Sequence, residues 1–222
     1  ILTEDRLYKD VEYSTDQTMK VGGQVDSMSL IEEGGKWAIT DYKFVTVYRF
    51  MDGRVPVEYE QQLNAYAAIF RANGFDVDRL DLLAIYRDWS VGRSNAGGGY
   101  PPKGAGIWSV PVWPKATADE WLMKKVTALH EARALEDDDL PECTPEERWA
   151  KPTRWAVMKE GRKSAVRVLY SKADAETLLH EKDAKHYIDV RPGESVRCLS
   201  YCNAAAFCNQ WAKIKVEIGK GE

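Results

Sequence analysis

The chain's 222 residues hold 31 Lys and Arg against 35 Asp and Glu, a formal net charge of −4, and a hydrophobic fraction of 44%. That is enough apolar material for one core and an appended module, and the charge balance argues against a uniformly basic nucleic-acid coat. No run of about eighteen apolar residues is present to span a membrane, and the opening residues lack the charge pattern and apolar stretch of a signal peptide, so a cytoplasmic protein is expected, with upstream residues missing because no initiating Met is present.

In chain order, residues 10–14 read as an opening strand carrying Glu12. Residues 21–31, around Asp26, and residues 36–43 both alternate apolar and polar side chains as strands do. Between them Glu32-Glu33-Gly34-Gly35 supplies a tight turn, so the two strands are expected to pair as a hairpin and bring Asp26 beside Asp41. Alternation puts Asp41 and Lys43 on one face and turns Tyr42 the opposite way into packing. Residues 58–73 place Leu63, Tyr66, Ala67 and Phe70 at helical spacing and stop at Gly74, with Gln62 and Tyr66 one turn apart on one face.

Residues 80–88 read as a further buried strand. Residues 94–106, rich in Gly and Pro, are expected to form a loop before a strand at 107–112. Thr117 with Glu120 reads as the start of a helix running to about residue 135. Asp137 to Pro141 breaks it, so the expected division is a core at 1–136 and a C-terminal lobe at 137–222. In that lobe residues 154–158 and 165–170 flank the turn Glu160-Gly161-Arg162-Lys163 as a hairpin, and residues 172–181 follow as a helix. The order strand, strand, strand, helix, strand makes the core a mixed α/β fold.

Two carboxylates, Asp26 and Asp41, with the Tyr42 carbonyl nearby, make an all-oxygen set suited to a hard cation such as magnesium or manganese. Such an ion polarises a phosphoryl oxygen and generates hydroxide from water, while Lys43 positions or deprotonates that water. The pattern therefore points to metal-dependent phosphodiester cleavage. Taken singly, an Asp-x-Lys strand is more often a solvated face, and Tyr66 more often a core aromatic. Their order and spacing carry the reading.

The second constellation is the full cysteine complement, Cys143, Cys198, Cys202 and Cys208, three of them close together near the end. A pair of disulfides is one reading of four cysteines. With no sign of secretion, thiolate ligation is preferred, and four sulfurs suit a structural zinc or an iron-sulfur cluster alike. For a nucleic-acid partner, candidate contacts are Arg87 and Arg93 around Trp89, and the segment Arg162, Lys163, Arg167. Trp89 and Tyr100 are candidates for base stacking, against the alternative of ordinary packing.

The ordered set Gly23-Gln24-Val25-Asp26, Asp41-Tyr42-Lys43, then Gln62 and Tyr66 resembles the PD-(D/E)XK nuclease superfamily, in its RecB-like branch, with Asp41 where many members have Glu. The resemblance implies a restriction-endonuclease-like mixed sheet flanked by helices, with Asp26, Asp41, Lys43, Gln62 and Tyr66 catalytic. It also implies DNA as substrate. An upstream region of such enzymes commonly adds another metal-site residue, for which Glu12 is a possible stand-in, against the alternative of a surface or structural role. Relatives of the CRISPR-associated adaptation nuclease and of the AddB subunit carry a distant cysteine plus a close C-terminal triplet holding a 4Fe-4S cluster. Cys198, Cys202 and Cys208 look like that triplet, although Cys143 follows the core where the relatives' distant cysteine precedes it.

The tail Asp189-Val190-Arg191-Pro192-Gly193-Glu194 with Asn209-Gln210-Trp211 looks like phage-encoded members, which implies phage DNA replication, recombination or processing in the host cytoplasm, alongside recombination or replication proteins. DNA ends and single strands are the expected substrates by that analogy. The competing classes are a non-catalytic DNA-binding or complex-assembly module that keeps the fold, and a redox sensor built on the cluster.

Overall fold

The computed structural model describes residues 1–31 and 35–219, and the chain divides into two compact units, Ile1–Glu131 and Ala132–Glu222. The expected turn at Glu32, Glu33 and Gly34 lies outside the described residues.

In the first unit, β1 (Leu2–Thr3), β4 (Ser27–Leu30), β5 (Lys36–Val45), β6 (Asp76–Tyr86) and β7 (Ala105–Val110) form a sheet in the order β1-β4-β5-β6-β7. The β5–β6 pair is parallel and the other pairs are antiparallel. The parallel pair needs a crossover, and α1 (Val57–Ala72) provides it. Two further strands, β2 (Arg6–Ser14) and β3 (Gln17–Gln24), pair separately. The fold is thus mixed α/β with a mixed five-stranded sheet.

Leu63, Ala67 and Phe70 of α1 pack with Ile39, Leu80 and Leu82 of the sheet, all essentially without solvent exposure. Each such buried Leu or Phe contributes about 1.5–3 kcal/mol. A second cluster joins Ala68 of α1 and Val11 of β2 to Ala118, Leu122 and Val126 of α3 (Lys115–Ala132). Asn64, with no exposed surface, is fully engaged: its amide donates to the Glu60 and Pro111 carbonyls, and its side-chain oxygen accepts from the Trp113 N–H.

Several sequence expectations are corrected here. The strand expected over 21–31 is two strands, because the chain changes partners at Asp26. Up to Gln24 it pairs with β2, and from Ser27 it pairs with β1 and β5. Backbone bonds from Glu4 N to Asp26 O and from Val25 N to Asp5 O hold the crossing point. Tyr42 is not packed inward but 44% exposed, and Phe44 two residues on is 73% exposed. The buried cluster beneath α1 takes the opposite face of β5, the one bearing Ile39. The expected loop at 94–106 begins as a short helix, α2 (Val91–Ala96), ended by three glycines, Gly97 to Gly99, all at positive φ where side chains are strained.

The second unit is built on β9 (Arg154–Lys159), paired antiparallel with β10 (Arg167–Leu169) and β11 (His186–Arg191). The hairpin and the helix α4 (Lys172–His180) follow the sequence reading, whereas β11 was not anticipated. The short pair β8 (Ala150–Lys151) and β12 (Glu194–Ser195), with α5 (Val196–Ser200) and α6 (Asn209–Gly219), carries the cysteine triplet.

Candidate active site

The break at Asp26 is what builds the site. The β4–β5 register ends at Ser27 opposite Thr40, so Asp26 falls opposite Asp41 without being a strand partner. Its carboxylate takes over the acceptor role, with Asp26 Oδ2 accepting the Tyr42 N–H at 2.7 Å. That bond fixes one oxygen of Asp26 beside the edge of β5. Asp41, 3% exposed, lies on the same face as Lys43, whose ammonium reaches Asp41 Oδ2 at 2.6 Å.

The Lys43 ammonium compensates this buried oxygen, and among the described residues no other group bonds it. Burial pushes the Asp41 carboxyl above the usual carboxylate range. Lys43 opposes that rise and the nearby Asp26 charge adds to it. A buried carboxylate held by a single ammonium and set next to a second carboxylate is a donor set suited to a hard divalent cation.

Helix α1 lines the same side. The Gln62 amide donates to Tyr66 Oη at 2.7 Å, which places the pair on one face as its spacing implied. Gly23 explains why the first motif needs a glycine: a Cβ there would stand 2.8 Å from Tyr66 Cδ1 and 2.9 Å from Ile69 Cδ1. Bare backbone lets α1 seat Tyr66 directly on β3, three residues before Asp26. At the other end of the same helical face, Tyr59 lies with its ring centre 5.4 Å from Lys43 Nζ. Gln62 therefore sits between a tyrosine touching the lysine and a tyrosine touching the glycine motif.

Tyr59 was missed by the sequence reading, and its position three residues before Gln62 is the signal that could have found it. Glu12 is exposed and opposite Thr18, six residues along β2 from the Arg6–Gln24 pair next to Asp26. At the rise of a strand that is roughly 20 Å away, so Glu12 does not join the site. Trp89 and Tyr100 belong to packing: the Trp89 indole donates to the Pro101 carbonyl, and Tyr100 Oη donates to the Asp88 carbonyl and accepts from Ser90 N. Arg87, Arg93, Arg162, Lys163 and Arg167 are exposed.

In the second unit the four cysteines are free thiols. The Cys198 thiol is pushed up by its burial and further by Cys202, Cys143 and Cys208, while Arg148 opposes the rise. The other three sulfurs thus lie near enough to Cys198 to act on it. Gln210 holds Cys143 in place, donating to its carbonyl at 2.9 Å and accepting its N–H at 3.0 Å, and Trp211 N donates to Cys208 Sγ at 3.4 Å. Among the described residues no group of three or more His, Cys, Asp or Glu side chains is drawn together tightly enough to hold a metal ion as it stands. Among them, too, no helix is long and apolar enough to cross a membrane.

No family model and no curated protein matches the chain. A solved structure described as "Crystal structure of SSO0001" aligns over 62% of this chain and 54% of its own length, at 14% identity and a TM-score of 0.38. The chain spans about half of that structure, and a likeness so slight carries no argument about fold or function.

Proposed function

We propose that the protein is a magnesium- or manganese-dependent deoxyribonuclease that hydrolyses phosphodiester bonds at DNA ends or in single strands. The observation that carries this reading is the buried Asp41 carboxylate, ion-paired to Lys43 and set beside Asp26. Asp26, Asp41 and the Tyr42 carbonyl would hold the cation, which when bound polarises a phosphoryl oxygen and lowers the pKa of bound water.

Lys43 brings a positive charge to the attacked phosphate and holds the attacking water through its ammonium protons. Tyr59 holds the Lys43 ammonium over its ring face. Gln62 and Tyr66, bonded to each other, are fixed to orient the DNA strand or to support Lys43 and the carboxylates. The cysteine lobe is proposed to hold a 4Fe-4S cluster, or a structural zinc, as a fold-stabilising site. A four-thiolate site has no open position for hydrolysis. The setting proposed is phage DNA replication, recombination or processing in the host cytoplasm.

The test is cleavage of end-labelled linear single-stranded and duplex DNA, and of covalently closed circles, with each cation. The parent should cut, EDTA should stop it, and Lys43→Ala should lower kcat by about 100-fold or more. Sparing of the circles would make the activity exonucleolytic. A folded parent that binds DNA and cuts none of these substrates is a binding module instead.

A further inference from the structure

A second feature of the first unit lies on the same side of the sheet as Asp41 and Lys43. In register, Lys43 stands beside Ala84 and Ala84 beside Gly106, while Asp41, Leu82 and Trp108 form the adjacent row. Gly106 and Trp108 are therefore two strand spacings, roughly 10 Å, from the carboxylate–lysine group. Over them opens a cavity of about 380 Å³ whose lining includes Phe50, Met51, Tyr86, Gly106, Trp108 and Lys103. That size is within the range of small-ligand sites.

Its inner wall is aromatic, with Trp108 partly exposed and Phe50 and Tyr86 buried, at 4% and 6% exposure. Phe50 stacks on Trp108 at 4.8 Å between ring centres and on Tyr59 at 6.4 Å, and Tyr59 in turn carries Lys43. A continuous line of rings thus joins the cavity to the catalytic lysine. The Trp108 indole donates to Tyr86 Oη at 2.9 Å, which leaves the Tyr86 hydroxyl proton free to donate to another group. Gly106 keeps the space open, since a Cβ there would stand 3.2 Å from Tyr86 Oη and 3.5 Å from Trp108 Nε1. Lys103, exposed at the rim, offers a positive charge to a phosphate.

We infer that this cavity takes one unpaired nucleobase of the strand being cut, a reading that rests on the nuclease assignment. The partly exposed Trp108 ring, backed by Phe50, binds the face of a base, Tyr86 meets an acceptor on its edge, and Lys103 pairs with the adjoining phosphate. A base inside a duplex cannot present its face to these rings, so the cavity selects single-stranded or frayed DNA. The roughly 10 Å to the catalytic group is a span of about one to three nucleotides, which makes the recognised base a near neighbour of the scissile phosphate.

The full chain is tested in two assays with single-stranded oligonucleotides. One places 2-aminopurine at successive positions and follows its fluorescence in EDTA. The other places a single abasic nucleotide at successive positions and follows cleavage. One position near the cut should show quenching, and the abasic substitution there should lower kcat/KM by roughly 5- to 100-fold.

Gly106→Val, whose side chain enters the cavity on the face that bears Trp108, should abolish both effects at that position. Lys103→Ala should weaken binding wherever the abasic nucleotide lies. A parent that cleaves with no position-dependent response, or a Gly106→Val variant with the parent's profile, overturns the base site and leaves the nuclease reading standing. Position-specific quenching that Gly106→Val removes, in a protein that cuts with neither cation, retains the base site and overturns the nuclease reading.

Discussion

Replacing Lys43 by Met keeps most of the side-chain volume and removes the charge that compensates Asp41. The two side chains are 21% and 4% exposed respectively, so the carboxylate is left buried while its partner was partly wet. Stripping one member of a fully buried pair costs about 3–5 kcal/mol. Water reaching Lys43 reduces that, and a loss of about 2 kcal/mol is expected at pH 7.5. The loss must depend on pH in a definite direction. Asp41 already has a carboxyl raised by burial, with Lys43 pulling it back. Without Lys43 the folded-state value rises further above the unfolded one.

A group with a raised folded value gives its full stabilisation below the unfolded value and loses it as pH climbs through the folded one. The deficit of Lys43→Met relative to the parent should therefore be small near pH 4 and grow as the pH approaches neutrality. Urea unfolding of the metal-free proteins at pH 4.5 and pH 7.5, followed by circular dichroism and fitted with a transition for each unit, measures it. An equal deficit at both pH values, or a larger one at pH 4.5, would refute the placement of Asp41 as a buried carboxylate held by Lys43.

The two adjacent glycines of β3 separate close approach from mere proximity. Gly23→Ala meets Tyr66 and Ile69 under α1 and should lower stability by about 1–3 kcal/mol in the same urea assay. Gly22→Ala meets only the Tyr8 ring, 51% exposed and able to swing outward, and should cost less than about 1 kcal/mol. For the cysteine lobe, the parent should purify with iron or zinc in stoichiometric amount. Cys202→Ser should lose it, and hydrogen exchange should then quicken in Ala132–Glu222 while the amides of Ile1–Glu131 keep their protection. A parent without either metal, or a variant with unchanged exchange, removes the ligation proposal.

Much of the core was legible in the sequence because its signals are local. Alternation along residues 36–43 and the helical spacing of Leu63, Tyr66, Ala67 and Phe70 each follow from a backbone period, and the Asp41–Lys43 and Gln62–Tyr66 pairings follow from those periods in turn. The structure decided what depends on partners far along the chain. Whether residues 21–31 form one strand or two is set by competition between β2 and β5 for the same segment, and the resulting break is what aims Asp26 at the Tyr42 N–H. Which face of β5 is covered is set by where α1 packs, so Tyr42 could be assigned a face but not a burial.

The role of Gly23 became visible only with Tyr66 lying against it, and Tyr59 gained a place in the site only through the approach of Lys43. Likewise, no period in the sequence links Phe50 to Trp108. Sequence alone determined which chemical groups are present and which share a face of one element. Tertiary packing decided which faces meet and which groups lose water, because burial and the charge balance around Asp41 are properties of the assembled layers, not of any single strand.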